Sequence, residues 1–143
     1  LNVSSIKISV WIKADSWGTY SQLVSKSINA QYGLFKNGDV SGSKITFRIG
    51  GSGPTGSTDL ATGRWYHVVG TRDANATKVY IDGVEDATGS GGSISTTTDH
   101  FTICAYNQSG SNGHFFHGYV DDVRIYDKAL SAAEVLQLYN LGR

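Results

Sequence analysis

Apolar side chains recur at every second position along much of this chain. Ile6, Ile8, Val10 and Ile12 alternate with Lys7, Ser9, Trp11 and Lys13. Ile45, Phe47 and Ile49 share one side of Lys44–Ile49, and Trp65, His67, Val69 and Thr71 share one side of Arg64–Asp73. A strand sends successive side chains to opposite faces, so a period of two predicts strands with one face on a core. Further strands are expected over Ser21–Ser27, Tyr32–Lys36, Lys78–Ile81, from Val84 onward, and over Phe101–Tyr106. Turn signals part these runs: Asn37-Gly38-Asp39, the Gly-rich stretch 50–57, residues 74–76, and Asp82-Gly83, a two-residue hairpin loop of the primed kind. A turn about every 8–12 residues is the rhythm of an antiparallel β-sandwich.

The chain's 143 residues suit one domain, 1–143, which needs no covalent staple. Cys104 is alone, excludes an internal disulfide, and reads as a small buried hydrophobe. Lys plus Arg and Asp plus Glu are equal at 12 each, so no long-range field of one sign points to nucleic acid or an anionic membrane. No apolar run is long enough to span a bilayer. The sequence opens at Leu1 just before a strand, as a piece cut from a longer protein would.

The tail Gly118–Tyr139 reads GYVDDVRIYDKALSAAEVLQLY. In a regular strand Tyr119, Asp121, Val123 and Ile125 share one face, and Val120, Asp122, Arg124 and Tyr126 the other. Val123 and Ile125 mark the core side, which places Asp121 there and Asp122 opposite. A lone buried carboxylate is costly, so Asp121 requires a wet strand end, a bulge that re-aims it, or a cation. Ser131 and Glu134 have the spacing of a capping box, and Leu130 and Val135 that of a hydrophobic staple. Val135, Leu138 and Tyr139 then share one face of a short helix that Gly142 can end.

Together with Ile8-Ser9-Val10-Trp11-Ile12-Lys13, Gly63-Arg64-Trp65-Tyr66-His67-Val68 and Lys78-Val79-Tyr80-Ile81-Asp82-Gly83-Val84, this tail resembles the LamG-like jelly-roll domains of the concanavalin A-like lectin/glucanase superfamily, relatives of laminin G and pentraxin modules. The resemblance implies an all-β, antiparallel jelly-roll sandwich with one short C-terminal helix. It implies a structural calcium at Asp121, with Asp122 second; carboxylate and carbonyl oxygens suit that ion. It also implies an N-terminal strand ahead of Leu1–Ser5, which is missing here. That leaves the position beside the last strand open to another chain or a homo-dimer.

Catalytic chemistry finds little support. Glycoside hydrolysis needs paired carboxylates. The superfamily's Glu-x-Asp-x-x-Glu strand is absent, the only glutamates are Glu85 and Glu134, and Asp121 and Asp122 are expected to point apart. Tyr106-Asn107-Gln108 resembles a segment of jelly-roll alginate lyases, without their Gln-x-His and Arg/Glu strands. No Gly-x-Ser-x-Gly elbow is present, and His114 and His117 lack a second pair of zinc ligands. The stretch 50–57 lacks the lysine and the helix of a phosphate loop. His67 reads as buried and hydrogen-bonded, and Trp11 and Trp65 as core.

Sugars are held by aromatic faces and planar polar side chains. The candidates are Trp17, Tyr20, Tyr32, Tyr106, Asn107, Gln108, Asn112 and His114. The expected function is a non-catalytic carbohydrate-binding module of a larger secreted or cell-surface protein. The alternatives are a structural or protein-interaction module and, behind it, a polysaccharide-degrading enzyme.

Overall fold

A computed structural model describes residues 5–27, 29, 31–108, 110–128 and 130–142. The strands are β1 (Ile6–Ser16), β2 (Ser21–Lys26), β3 (Tyr32–Lys36), β4 (Ile45–Ile49), β5 (Trp65–Asp73), β6 (Ala76–Ile81), β7 (Val84–Ser90), β8 (Phe101–Ile103), β9 (Tyr106–Gln108), β10 (Ser111–Gly113) and β11 (His117–Tyr126), followed by α1 (Ala132–Leu141). One sheet runs β11-β1-β5-β6-β7, the other β4-β3-β2-β8, with β9 and β10 as a separate pair. Strand pairings are antiparallel throughout. This is the expected jelly-roll sandwich with its single short helix.

The alternating apolar positions fill the space between the two sheets. Ile6, Ile8, Val10 and Ile12 of β1 and Tyr66 and Val68 of β5 meet Leu23, Leu34, Ile45, Phe47 and Ile49 from the facing sheet. Phe47 lies against bare backbone: a Cβ added at Gly70 would stand 2.4 Å from its ring. The β6–β7 hairpin turns at Asp82 and Gly83 with φ of 51° and 82°, the left-handed pair that a primed two-residue loop requires.

The other face of the β11-β1-β5-β6-β7 sheet is covered in part by α1. Val135 is fully buried against Val69 and Tyr80, and Leu130 joins them as the staple. Ser131 Oγ accepts from the Glu134 N–H, and the Ser131 N–H donates to Glu134 Oε2 at 2.8 Å, so the capping box is complete. The Gly142 N–H closes the helix on the Leu138 and Tyr139 carbonyls. Ser131→Ala should therefore lower stability by about 0.5–2 kcal/mol in urea unfolding. A neutral result would mean that the box contributes nothing to docking.

Three local expectations need correction. Phe101–Tyr106 is not one strand; it breaks at Cys104, whose φ is 60°, between β8 and β9. Nor does strand structure stop at Tyr106, the end of the expected strand, because residues 107–113 include most of the β9–β10 hairpin. The third correction concerns β11. Ser9 stands opposite Arg124 and Trp11 opposite Asp121, so Asp122 and Val123 together face Val10. This is a β-bulge, and Asp122 holds it with a φ of 49°. Aspartate tolerates that left-handed region better than most residues. The extra residue resets the alternation. Val120, Val123 and Ile125 all pack on the core, while Asp121 stands with Trp11 on the outer face.

Candidate functional site

Two clefts, one on each outer face of the sandwich, gather the residues with chemistry to offer. The first, of about 250 Å³, lies over the β4-β3-β2-β8 sheet and is lined by Tyr20, Gln22, Asn29, Phe35, Arg48, Tyr106 and His114. Its floor follows from strand alternation. Tyr32 and Leu34 point inward, leaving Phe35 outward; Phe47 and Ile49 point inward, leaving Arg48 outward. A bulge in β2, between Gln22 and Val24, sends Leu23 and Val24 both into the core and keeps Gln22 out. Arg48 stands opposite Gly33, and its guanidinium lies 5.1 Å over the Phe35 ring.

The walls are aromatic. The Tyr20 ring meets the His114 ring edge-on at 5.1 Å, and the Tyr106 ring lies 5.8 Å from His114. His114, with a φ of 53°, is fixed from below, because its carbonyl accepts from the Gln22 N–H at 2.9 Å. The Tyr20 hydroxyl donates to Asp39, a bond that raises its pKa; burial raises that of Tyr106. Gln22 is 2% exposed, yet its Oε1 has no hydrogen-bond partner.

Of the candidates read from sequence, Tyr20, Tyr106 and His114 come together here. Asn107 and Asn112 do not line the cleft; Asn107 Nδ2 donates to Asn112 Oδ1 at 2.7 Å, tying β9 to β10. The side chain of Gln108 lies outside the described residues. Tyr32 is fully buried in the core, on the inward phase of β3. Trp17 packs against the core and Phe116, with Nε1 donating to the Leu60 carbonyl at 2.9 Å. Neither reaches the cleft. Sequence reading missed Gln22, Asn29, Phe35 and Arg48; the alternation of Ile45, Phe47 and Ile49 already marked Arg48 as outward.

The second cleft, of about 710 Å³, lies on the opposite sheet beside α1 and is lined by Trp11, Arg64, Trp65, Asp82, Asp121, Asp122, Tyr139 and Gly142. Trp11 and Trp65 are therefore not core residues, since their phase in β1 and β5 is the outward one. Asp121 and Asp122, expected on opposite faces, share this cleft because of the bulge. Asp82 takes Arg64 at 2.7 Å, and Asp122 takes Arg124 at 2.6 Å. Asp121 Oδ1 accepts the Asp122 N–H.

For calcium, two neighbouring carboxylates are a thin donor set. Among the described residues no three His, Cys, Asp or Glu side chains gather to hold a metal. A calcium at Asp121 and Asp122 would complete its shell from backbone carbonyls and water.

Beneath Trp11 and Tyr139 lies His67, 1% exposed, its ring 5.1 Å and 6.1 Å from theirs. Its Nε2 shares a 2.7 Å hydrogen bond with Ser9 Oγ, and Nδ1 has no partner. Burial, helped by the charge of Lys7, lowers its pKa to about 4. Lys7 is itself fully buried, with Nζ 4.1 Å over the Tyr126 ring, and desolvation lowers its pKa to about 8. Cys104 is half-buried against the core and its thiol pKa is raised by burial, the opposite of a reactive thiolate.

The chain belongs to the concanavalin A-like lectin/glucanases superfamily, whose Laminin_G_3 family model matches residues 1–136. Solved structures share its fold at low identity. A candidate carbohydrate binding protein from Bacteroides ovatus superposes with a TM-score of 0.81 at 22% identity, over 94% of this chain and 40% of that one. Domain 4 of an extracellular GH43 arabinanase from Geobacillus stearothermophilus, solved with arabinotriose, gives 0.76 at 21% identity, over 97% and 68%. The CBM40 of a Ruminococcus gnavus sialidase, bound to sialyllactose, gives 0.75 at 15% identity, over 96% and 83%. No curated protein matches the chain closely enough to count as a relative. Among the described residues no helix is long and apolar enough to cross a membrane.

Proposed function

We propose that this domain is a non-catalytic carbohydrate-binding module of a larger secreted or surface protein, and that the saccharide sits over the β4-β3-β2-β8 sheet. The observation that carries the reading is the pairing of Gln22 with the aromatic walls. Gln22, whose amide oxygen is buried without a partner, lines a cleft walled by Tyr20, Tyr106 and His114. Rings offer flat faces to sugar C–H surfaces, and a fixed planar amide answers hydroxyls. Binding rather than turnover fits the lining, which among the described residues includes no carboxylate, whereas glycoside hydrolysis uses two. The three solved structures of similar fold above, each named for carbohydrate binding or held with a saccharide, support the same reading.

A glycan-array screen followed by titration of the best saccharide tests it. Tyr106→Ala should weaken binding at least tenfold, about 1.4 kcal/mol. Full retention of affinity by Tyr106→Ala would move the site elsewhere. Running the screen and a melting curve with calcium and with a chelator tests the ion proposed at Asp121 and Asp122. A melting point that rises with calcium in the wild type but not in Asp121→Ala supports that ion; identical curves exclude a stabilising one.

A further inference from the structure

We propose that the saccharide bound in this cleft carries a carboxylate, as a uronic or ulosonic acid does, and that Arg48 receives it. The inference rests on the carbohydrate reading above. Arg48 is the one residue of fixed charge among the cleft's lining residues. A guanidinium is a planar cationic fork of N–H donors with no acceptor of its own. Among the described residues it makes no ion pair; the pairs join Arg64 to Asp82, Lys78 to Glu85 and Arg124 to Asp122.

The side chain is also placed rather than loose. It stands opposite Gly33 and lies on Phe35, a residue only 1% exposed. A guanidinium stacked this way keeps its donor edge available. That planar fork matches a carboxylate with two parallel hydrogen bonds, which a neutral sugar cannot return with charge.

The second observation is the acceptor. Gln22 lines the cleft and its Oε1 has no donor, so a ligand O–H or N–H that reaches it satisfies an acceptor that the protein leaves unmet. A sugar acid supplies both needs on one ring: a carboxylate for Arg48 and hydroxyls for Gln22. The acids near enough to act on the cleft's tyrosines are Asp39 and Asp99. Neither lines the cleft, and Asp39 is engaged by the Tyr20 hydroxyl.

Matched pairs of probes test this by calorimetric titration of the intact domain. Sialyllactose against lactose tests an ulosonic acid, and trigalacturonate against galactotriose tests a uronic acid. In one pair or the other the acidic member should bind about tenfold more tightly, the pair that does so naming the source of the carboxylate. That ratio should shrink as salt rises, since a half-exposed charge pair is screened. In Arg48→Gln the ratio should fall to within about twofold of unity, with Arg48→Lys in between, because an ammonium keeps the charge and loses the fork. Melting curves of both variants confirm that each is folded. Equal binding of acidic and neutral members by the wild type overturns this inference and leaves the carbohydrate reading standing. An acidic preference that survives Arg48→Gln also overturns it. Failure of every saccharide, on the array and here, overturns both.

Discussion

Phe47→Ala should destabilise the domain by about 3–5 kcal/mol, the range for emptying an aromatic site in a packed core. Phe47 is fully buried, and its ring lies where a Cβ at position 70 would have to go, 2.4 Å from that point. The two sheets thus interlock through one large side chain and one absent one. Gly70→Ala should cost about 1–3 kcal/mol through overpacking of the same spot. A smaller residue at 47 should relieve that clash, so Phe47→Leu with Gly70→Ala should cost less than the sum of the two single changes. Urea unfolding of the four proteins measures this. Strict additivity would show that the two positions do not share the space assigned to them.

A drop from pH 7 to pH 4 should remove roughly 3 kcal/mol through His67 alone, at 1.36 kcal/mol per unit of pKa. His67 is held neutral under α1: its pKa is lowered from 6.5 to about 4 by burial first, then by Lys7, with Asp82 and Asp122 opposing. The unfolded chain takes up the proton near pH 6.5 and the folded chain only near pH 4. Between those values the unfolded state holds more protons, so stability rises with pH and is lost on acidification. Glu134, whose carboxyl is lowered by its bonds to Ser131, adds a loss only further down the scale. His67→Gln cannot titrate and should flatten the pH dependence of the unfolding midpoint between pH 6.5 and 4. Parallel slopes in wild type and variant would refute the assignment.

Much of this architecture is legible in the sequence, because its cause is local. Alternation fixes which residues of β1 and β4 face inward, whereas in β5 the set Trp65, His67, Val69 and Thr71 is the outward one and Tyr66 and Val68 fill the core; the hairpin at Asp82-Gly83 and the cap at Ser131 follow from backbone geometry that few residue types satisfy. Alternation fails where a strand gains a residue. The β2 bulge puts Leu23 and Val24 on one side, and the β11 bulge puts Asp121 and Asp122 on the other side from Val123. Neither leaves a glycine or proline to mark it. Trp11 and Trp65 mislead for another reason. Their size favours burial, but their phase in the strand is outward, and phase decides. The cleft over the β4-β3-β2-β8 sheet is half legible. Tyr20, Tyr106 and His114 stood out by type, whereas Gln22 and Arg48 acquire their meaning from neighbours on other strands.

The bulge in β11 has a bearing on how such a surface can change over time. Val120, Val123 and Ile125 would keep their inward phase if Asp122 were simply left out, because the regular register then runs on unbroken from Asp121 to Val123. Asp122 is therefore a supernumerary residue: the sheet does not need it, and the cleft beside α1 acquires a second acid because of it. A one-residue insertion of this kind adds a functional group to an outer face without repacking the interior. Insertions and deletions thus join substitutions as changes by which that face can be rewritten while the sandwich beneath it stays the same.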